Sequence, residues 1–85
     1  QILPDDLVID LRSSEEAELV MPTALRLDVA QIKNLKLCHD LDRRIALCCR
    51  SGLRSWQAAE ILAQTWSGQI VLVALGDSPP LEKFL

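Results

Sequence analysis

Glycine and proline are scarce, three and four positions of 85. So little backbone punctuation excludes collagen-like and low-complexity chains, and with 49% hydrophobic and 25% charged residues it marks a packed globular domain. No apolar run approaches the roughly 18 to 20 residues that cross a bilayer, and the start, Gln1 to Asp6, lacks the charged-then-apolar order of a signal peptide. Basic charge is also short, nine Lys and Arg against twelve Asp and Glu, for a net charge of -3. That balance argues against nucleic acid as a main partner, because a basic surface is needed to displace counterions. The three cysteines, Cys38, Cys48 and Cys49, form an odd set with two adjacent members. This suits a disulfide framework badly and a reducing compartment well, so cytoplasm is the expected location. The length encloses one core, so a single domain over 1–85 is expected, and a first residue of Gln in place of Met fits a segment excised from a larger protein.

Leu7-Val8-Ile9-Asp10-Leu11 is a short, β-branched apolar run after Pro4-Asp5-Asp6 and reads as a buried strand, with Asp10 and Arg12 at its carboxyl end. Ser13-Ser14-Glu15-Glu16 has the composition of a helix start, a hydroxyl cap followed by acids, and Pro22 keeps that helix short. Thr23 to Asp28 alternates polar and apolar residues as an edge strand would, and Val29 to Leu37 carries helical spacing. Ile45-Ala46-Leu47-Cys48 is a second buried strand and Ile70 to Leu75 a third strand, stopped by Gly76-Asp77-Ser78-Pro79-Pro80. Between them Ala59, Leu62, Ala63 and Trp66 recur at the spacing of a helix from Ser55 to near Gly68. Strands alternating with helices give an α/β fold, a small parallel sheet flanked by helices, with its ligand site at the carboxyl ends of the strands.

One such end carries most of the chemistry. Leu47-Cys48-Cys49-Arg50-Ser51-Gly52-Leu53-Arg54-Ser55 is a strand ending in cysteine, a tight loop with one glycine, and the start of a helix. Converging loop N–H groups and the amino end of the helix stabilise an anion there. A thiol that ordinarily titrates near 8.5 falls to about 3.5 to 7.5 in such surroundings and becomes a thiolate nucleophile. From Arg43 to Ala59 there are four arginines, Arg43, Arg44, Arg50 and Arg54, and no acid. Positive charge is therefore expected around the loop, where it would attract small anions. The plain alternative is that the strand ends in buried, inert cysteines; the combination of strand, cysteine, glycine loop, two arginines and helix outweighs it.

Cys49-Arg50-Ser51-Gly52-x-Arg54-Ser55 resembles the active-site loop of rhodanese-like sulfurtransferases. The resemblance extends to the strand before the loop, to Ala58-Ala59 and Leu62 after it, and to Val8-Ile9-Asp10-Leu11-Arg12 followed by Glu15-Glu16. It implies that Cys49 is the nucleophile that carries sulfane sulfur as a persulfide. It also implies that Arg50, Ser51, Gly52, Leu53, Arg54 and Ser55 hold the persulfide and donor. No cofactor or metal is implied. The implied donors are thiosulfate or a cysteine desulfurase persulfide, and the implied partners are a sulfur-carrier protein or the adenylyltransferase that activates one. Where the family usually has Gly-His-Ile-Pro-Gly-Ala, this chain has Leu19-Val20-Met21-Pro22-Thr23-Ala24, and its segment after the last strand is reduced to Gly76-Asp77. Both fit a domain trimmed relative to the family.

Two other functional classes are open to these residues. Cys48 lies six residues before Arg54 and satisfies Cys-x5-Arg-Ser, the pattern of cysteine-dependent phosphatases. Adjacent strand residues point to opposite faces, so only one cysteine faces the loop centre, and Arg-Ser-Gly-x-Arg-Ser favours Cys49. Leu47, not His, precedes the pair. The remaining class is a catalytically silent interaction module, against which the intact cysteine and arginines argue. Asp10 and Arg12 are expected either to brace the site by pairing or to be solvated, Ser55 to cap the helix, and Trp56 and Trp66 to pack in the core. Cys38 and His39 alone make a poor zinc site.

Overall fold

The computed structural model describes residues 2–35 and 43–76. Four strands, β1 (Leu7–Asp10), β2 (Leu25–Arg26), β3 (Ile45–Cys49) and β4 (Ile70–Ala74), form one parallel sheet in the order β2-β1-β3-β4. Two helices, α1 (Val29–Ile32) and α2 (Leu53–Leu62), complete the described elements. Each apolar run forms a strand; β1 and β3 are buried, β4 lies at the sheet edge with no fully buried residue, and β2 is shorter than its alternating pattern. All of β3 is buried, as a parallel strand covered on both faces requires. Ile9, Leu11, Ile45, Leu47 and Cys49 pack with Ile32 of α1 and with Ala58 and Leu62 of α2. Val8, Ala46 and Cys48 point the other way, where Val20 and Ala24 close over them.

Chain order leaves β1 for β2 on one side and returns to β3 on the other. The crevice between the carboxyl ends of β1 and β3 is therefore the switch point of the sheet, where open α/β sheets bind ligands. Asp10 ends one of these strands and Cys49 the other.

The helix expected from Ser13 is a single turn. Ser13 Oγ accepts the Glu16 N–H at 3.2 Å and Glu16 Oε1 accepts the Ser13 N–H at 3.0 Å, the reciprocal pairing that opens helices. The next backbone groups are claimed elsewhere: the Glu18 carbonyl accepts from Arg12 Nη2 at 3.0 Å, and the Val20 N–H donates to Asp10 Oδ2 at 2.9 Å. The chain is drawn down onto the sheet before a second turn can form.

Helix α2 starts at Leu53, two residues before Ser55, and ends at Leu62. Trp66 is buried beyond that end, its backbone N–H on the Leu62 carbonyl at 2.8 Å. A Cβ at Gly68 would lie 2.7 Å from the Trp66 indole, so this glycine makes room for the ring and does not terminate the helix. Trp56 departs from the core placement expected of it and is 52% exposed, next to exposed Leu53.

Candidate active site

Cys49 is the last residue of β3, and the chain after it turns sharply through Gly52, whose φ is 95°. That backbone conformation is open to glycine and costly for other residues. Gly52 is also the N-cap of α2 and has no side chain with which to meet the free N–H groups of the first turn. The cysteine sulfur takes that place, accepting the Gly52 N–H at 3.0 Å and the Ser55 N–H at 3.3 Å. Ser55 is therefore not the helix cap expected of it; it lies fully buried within the first turn. Its hydroxyl has one proton to give, to the Leu47 carbonyl 2.9 Å away or to the sulfur.

Burial of Cys49 pushes its thiol pKa up, but the Ser55 hydroxyl and the amides of Ser55, Gly52 and Arg54 outweigh this and hold it below the ordinary value. Hydrogen bonds to the charged form have that effect. Cys48, one residue earlier, shows the opposite case: burial, then the neighbouring Asp10 charge, drive its thiol up to about 12. It faces the other side of the sheet among Val8, Val20, Ala24 and Ala46, away from the loop amides.

Asp10 and Arg12 pair with each other. Asp10 accepts from Arg12 Nε at 3.0 Å and Nη2 at 2.9 Å, and also from the backbone amides of Arg12 and Val20. Burial works against its ionisation, and these hydrogen bonds overcome burial, so its pKa is lowered. The pair braces the loop after β1 and ties down the Leu19–Ala24 segment.

Arg54 reaches back across the switch point. Its Nη1 donates to the Leu11 carbonyl at 3.2 Å, and both Nη atoms bind the Glu16 carboxylate, at 2.5 and 2.8 Å. The Arg54 hydrogen bond is the main cause of a Glu16 pKa of about 2. Ser51 Oγ accepts the Leu53 N–H at 3.4 Å, and Leu53 is 61% exposed at the loop mouth. Arg50 is exposed, and its carbonyl accepts the Gly76 N–H at 2.8 Å, which fastens the loop to the end of β4.

The expected cluster of four arginines is divided. Arg43 and Arg44 stand at the amino end of β3, where Arg43 donates to the Asp5 and Asp6 carbonyls and Arg44 to the Asp6 carboxylate. β3 rises about 3.3 Å per residue, so its length separates them from the loop. Arg50 and Arg54 remain at the loop, beside the amides of Gly52, Arg54 and Ser55 that face the sulfur. Sequence reading missed Glu16 as the partner of Arg54. It also missed Arg26, at the carboxyl end of β2; the alternation of Thr23 to Asp28, which placed Arg26 on an edge strand, was the available signal. Cys38 and His39 lie outside the described residues. Among the described residues no group of three or more His, Cys, Asp or Glu is arranged to hold a metal ion, and no helix is long and apolar enough to cross a membrane.

A parallel sheet whose switch point presents a cysteine, with its sulfur held by the amides of the following helix, defines an α/β domain with a thiol of lowered pKa. A curated sulfurtransferase of Allochromatium vinosum is 35% identical over 68 residues, which cover 79% of this chain and 64% of that protein. With the fold, this similarity supports the resemblance to rhodanese-like sulfurtransferases; the matched stretch spans less than two thirds of that relative's length. No family model matches the chain, and no solved structure matches it significantly.

Proposed function

We propose that this domain is a sulfurtransferase that carries sulfane sulfur on Cys49. The observation that supports this reading best is the double amide contact to the Cys49 sulfur, made by Gly52 and Ser55 on a thiol whose pKa is lowered. With thiosulfate as donor, the Cys49 thiolate attacks the outer sulfur; the Sγ–S bond forms, the S–S bond of thiosulfate breaks, and sulfite leaves with the electron pair. The terminal sulfur of the persulfide then bears the negative charge and lies where loop N–H groups can stabilise it. An acceptor thiolate attacks that sulfur, forms the new S–S bond, and returns Cys49 as thiolate. Arg50 and Arg54 supply charge for anionic donors, with Arg54 exchanging Glu16 for the donor. A cysteine desulfurase persulfide is the alternative donor, a sulfur-carrier protein or its adenylyltransferase the proposed partner, and the cytoplasm the proposed compartment.

The phosphatase register has less support, since Cys48 faces away from the loop amides and its thiol is driven up to about 12. Intact mass after thiosulfate treatment of wild type, Cys49→Ser and Cys48→Ser tests the choice. A gain of one sulfur, reversed by dithiothreitol and lost only in Cys49→Ser, is expected. No gain, with phosphate hydrolysis dependent on Cys48, overturns the reading. Absence of both activities, with thiosulfate and with a protein persulfide donor, leaves a silent interaction module.

A further inference from the structure

Beside the sulfur loop lies a cleft of about 360 Å³ whose walls include Arg12, Ser13, Ser14, Arg26, Asp28 and Arg54. At about 30 Å³ per water it has room for roughly a dozen waters, more than a thiosulfate ion occupies. Arg26 is fixed in place by its Nη1 on the Arg12 carbonyl at 2.7 Å and its Nη2 on the Ala17 carbonyl at 2.9 Å. Those acceptors are neutral, and among the described residues no carboxylate lies within ion-pair distance of Arg26. Among the described residues its remaining N–H groups have no acceptor. Arg12 is 4% exposed. Its Nε and Nη2 are engaged by Asp10 and the Glu18 carbonyl, whereas Nη1 has no acceptor among the described residues, and the residue forms part of the cleft wall.

We propose that this cleft is a substrate subsite that holds the carboxylate of an organic thiol on Arg26 and Arg12 while the thiol addresses the sulfur carried on Cys49. The proposal rests on the sulfurtransferase reading above. Arg54 joins the two sites: its backbone amide faces the Cys49 sulfur and its side chain walls the cleft. Arg12 and Arg54 already have Asp10 and Glu16, and Asp28 stands on the cleft wall. One uncompensated guanidinium suits a singly charged carboxylate better than a doubly charged phosphate. In the transfer, the thiol loses its proton to solvent and attacks the terminal persulfide sulfur. A disulfide-type S–S bond forms to the acceptor, and the Sγ–S bond breaks with its electron pair on Cys49.

The test compares N-acetylcysteine with N-acetylcysteine amide as acceptors for persulfide-loaded protein, scored by loss of the extra sulfur in intact mass. The ratio of the two rates is taken in wild type, Arg26→Gln and Ser14→Glu, so that intrinsic differences between the thiols cancel. The wild-type ratio is expected to exceed that of either variant roughly tenfold, the scale of a charge-assisted hydrogen bond. Ser14→Glu leaves the carbonyl anchors of Arg26 intact and places a repelling charge at the cleft, so it covers the case in which Arg26→Gln fails to fold. A ratio unchanged in Ser14→Glu overturns the proposal. N-acetylalanine and inorganic phosphate, titrated separately while the Arg26 side-chain NMR signals are followed, report on the cleft without sulfur transfer. N-acetylalanine shifts are expected; a response to phosphate alone, or to neither, overturns the carboxylate assignment. Failure of persulfide loading with intact N-acetylalanine binding would refute the sulfurtransferase reading and keep the anion cleft.

Discussion

Gly52→Ala separates the two tasks of the loop, shaping the backbone and holding the sulfur. At φ 95° an L-residue costs roughly 1–2 kcal/mol. A Cβ would meet only the Ala74 Cβ at 3.8 Å, an ordinary contact, so strain is the whole cost. For a domain of this size about 1 kcal/mol lowers Tm by about 4–8 °C, which predicts a fall of roughly 4 to 16 °C. Relief of the strain moves the loop and draws the Gly52 N–H away from the sulfur 3.0 Å from it. The Cys49 pKa then rises toward the ordinary value near 8.5. Thermal unfolding measures the first effect, and the pH dependence of iodoacetamide alkylation at Cys49, located by peptide mapping, measures the second. Gly76→Ala is the control. It too has positive φ, 60°, with nothing within 4 Å of a Cβ, yet its N–H goes to the Arg50 carbonyl. It should lose stability and leave the thiol pKa in place. A Gly52→Ala protein with unchanged alkylation profile, or a Gly76→Ala protein with the same upward shift, would refute the assignment of that amide to the sulfur. Because the folded pKa of Cys49 is depressed, its ionisation adds stability above the unfolded value that is lost as pH falls through the folded one. Gly52→Ala should flatten that stretch of the stability curve.

Asp10→Asn removes the partner of buried Arg12, and leaving one charge of a buried pair uncompensated costs about 3–5 kcal/mol; a comparable drop in urea unfolding free energy is expected. Glu16→Gln releases Arg54 from its carboxylate, so the KM for thiosulfate should fall; an unchanged KM would show that the ion pair does not compete with the donor. Cys48, with a thiol driven up to about 12, contributes stability that is complete below the ordinary thiol value near 8.5 and lost as pH rises toward 12. Cys48→Ala should therefore reduce the alkaline loss of stability measured by urea midpoint across that window.

Much of this was legible because β3 and its neighbours are short apolar runs with few competing readings. Strand alternation separates Cys48 from Cys49, and the structure adds the chemical consequence, two thiols displaced in opposite directions. Less legible were effects that depend on distant partners. Glu16 and Arg54 meet across 38 positions of chain, and nothing local announces it. Ser13 to Glu16 carries a real helix-start signal, yet Asp10 and Arg12 capture the backbone groups a second turn needs. Ser55 looked like a cap because it is a hydroxyl beside a helix start, but a sulfur already occupied that role, which freed Ser55 to sit inside the turn.

A helix normally begins on a chemically inert group, whereas the first amides of α2 are met by a cysteine sulfur whose thiol pKa is lowered. Alkylation of Cys49, or its oxidation beyond the reversible stage, alters the acceptor for the Gly52 and Ser55 amides and leaves the buried Ser55 N–H poorly matched, at about 1–3 kcal/mol for an unsatisfied buried group. Irreversibly damaged copies would then be the least stable in any population and the first exposed to proteases. The same coupling makes a simple melting curve a label-free gauge of the chemical condition of that one atom.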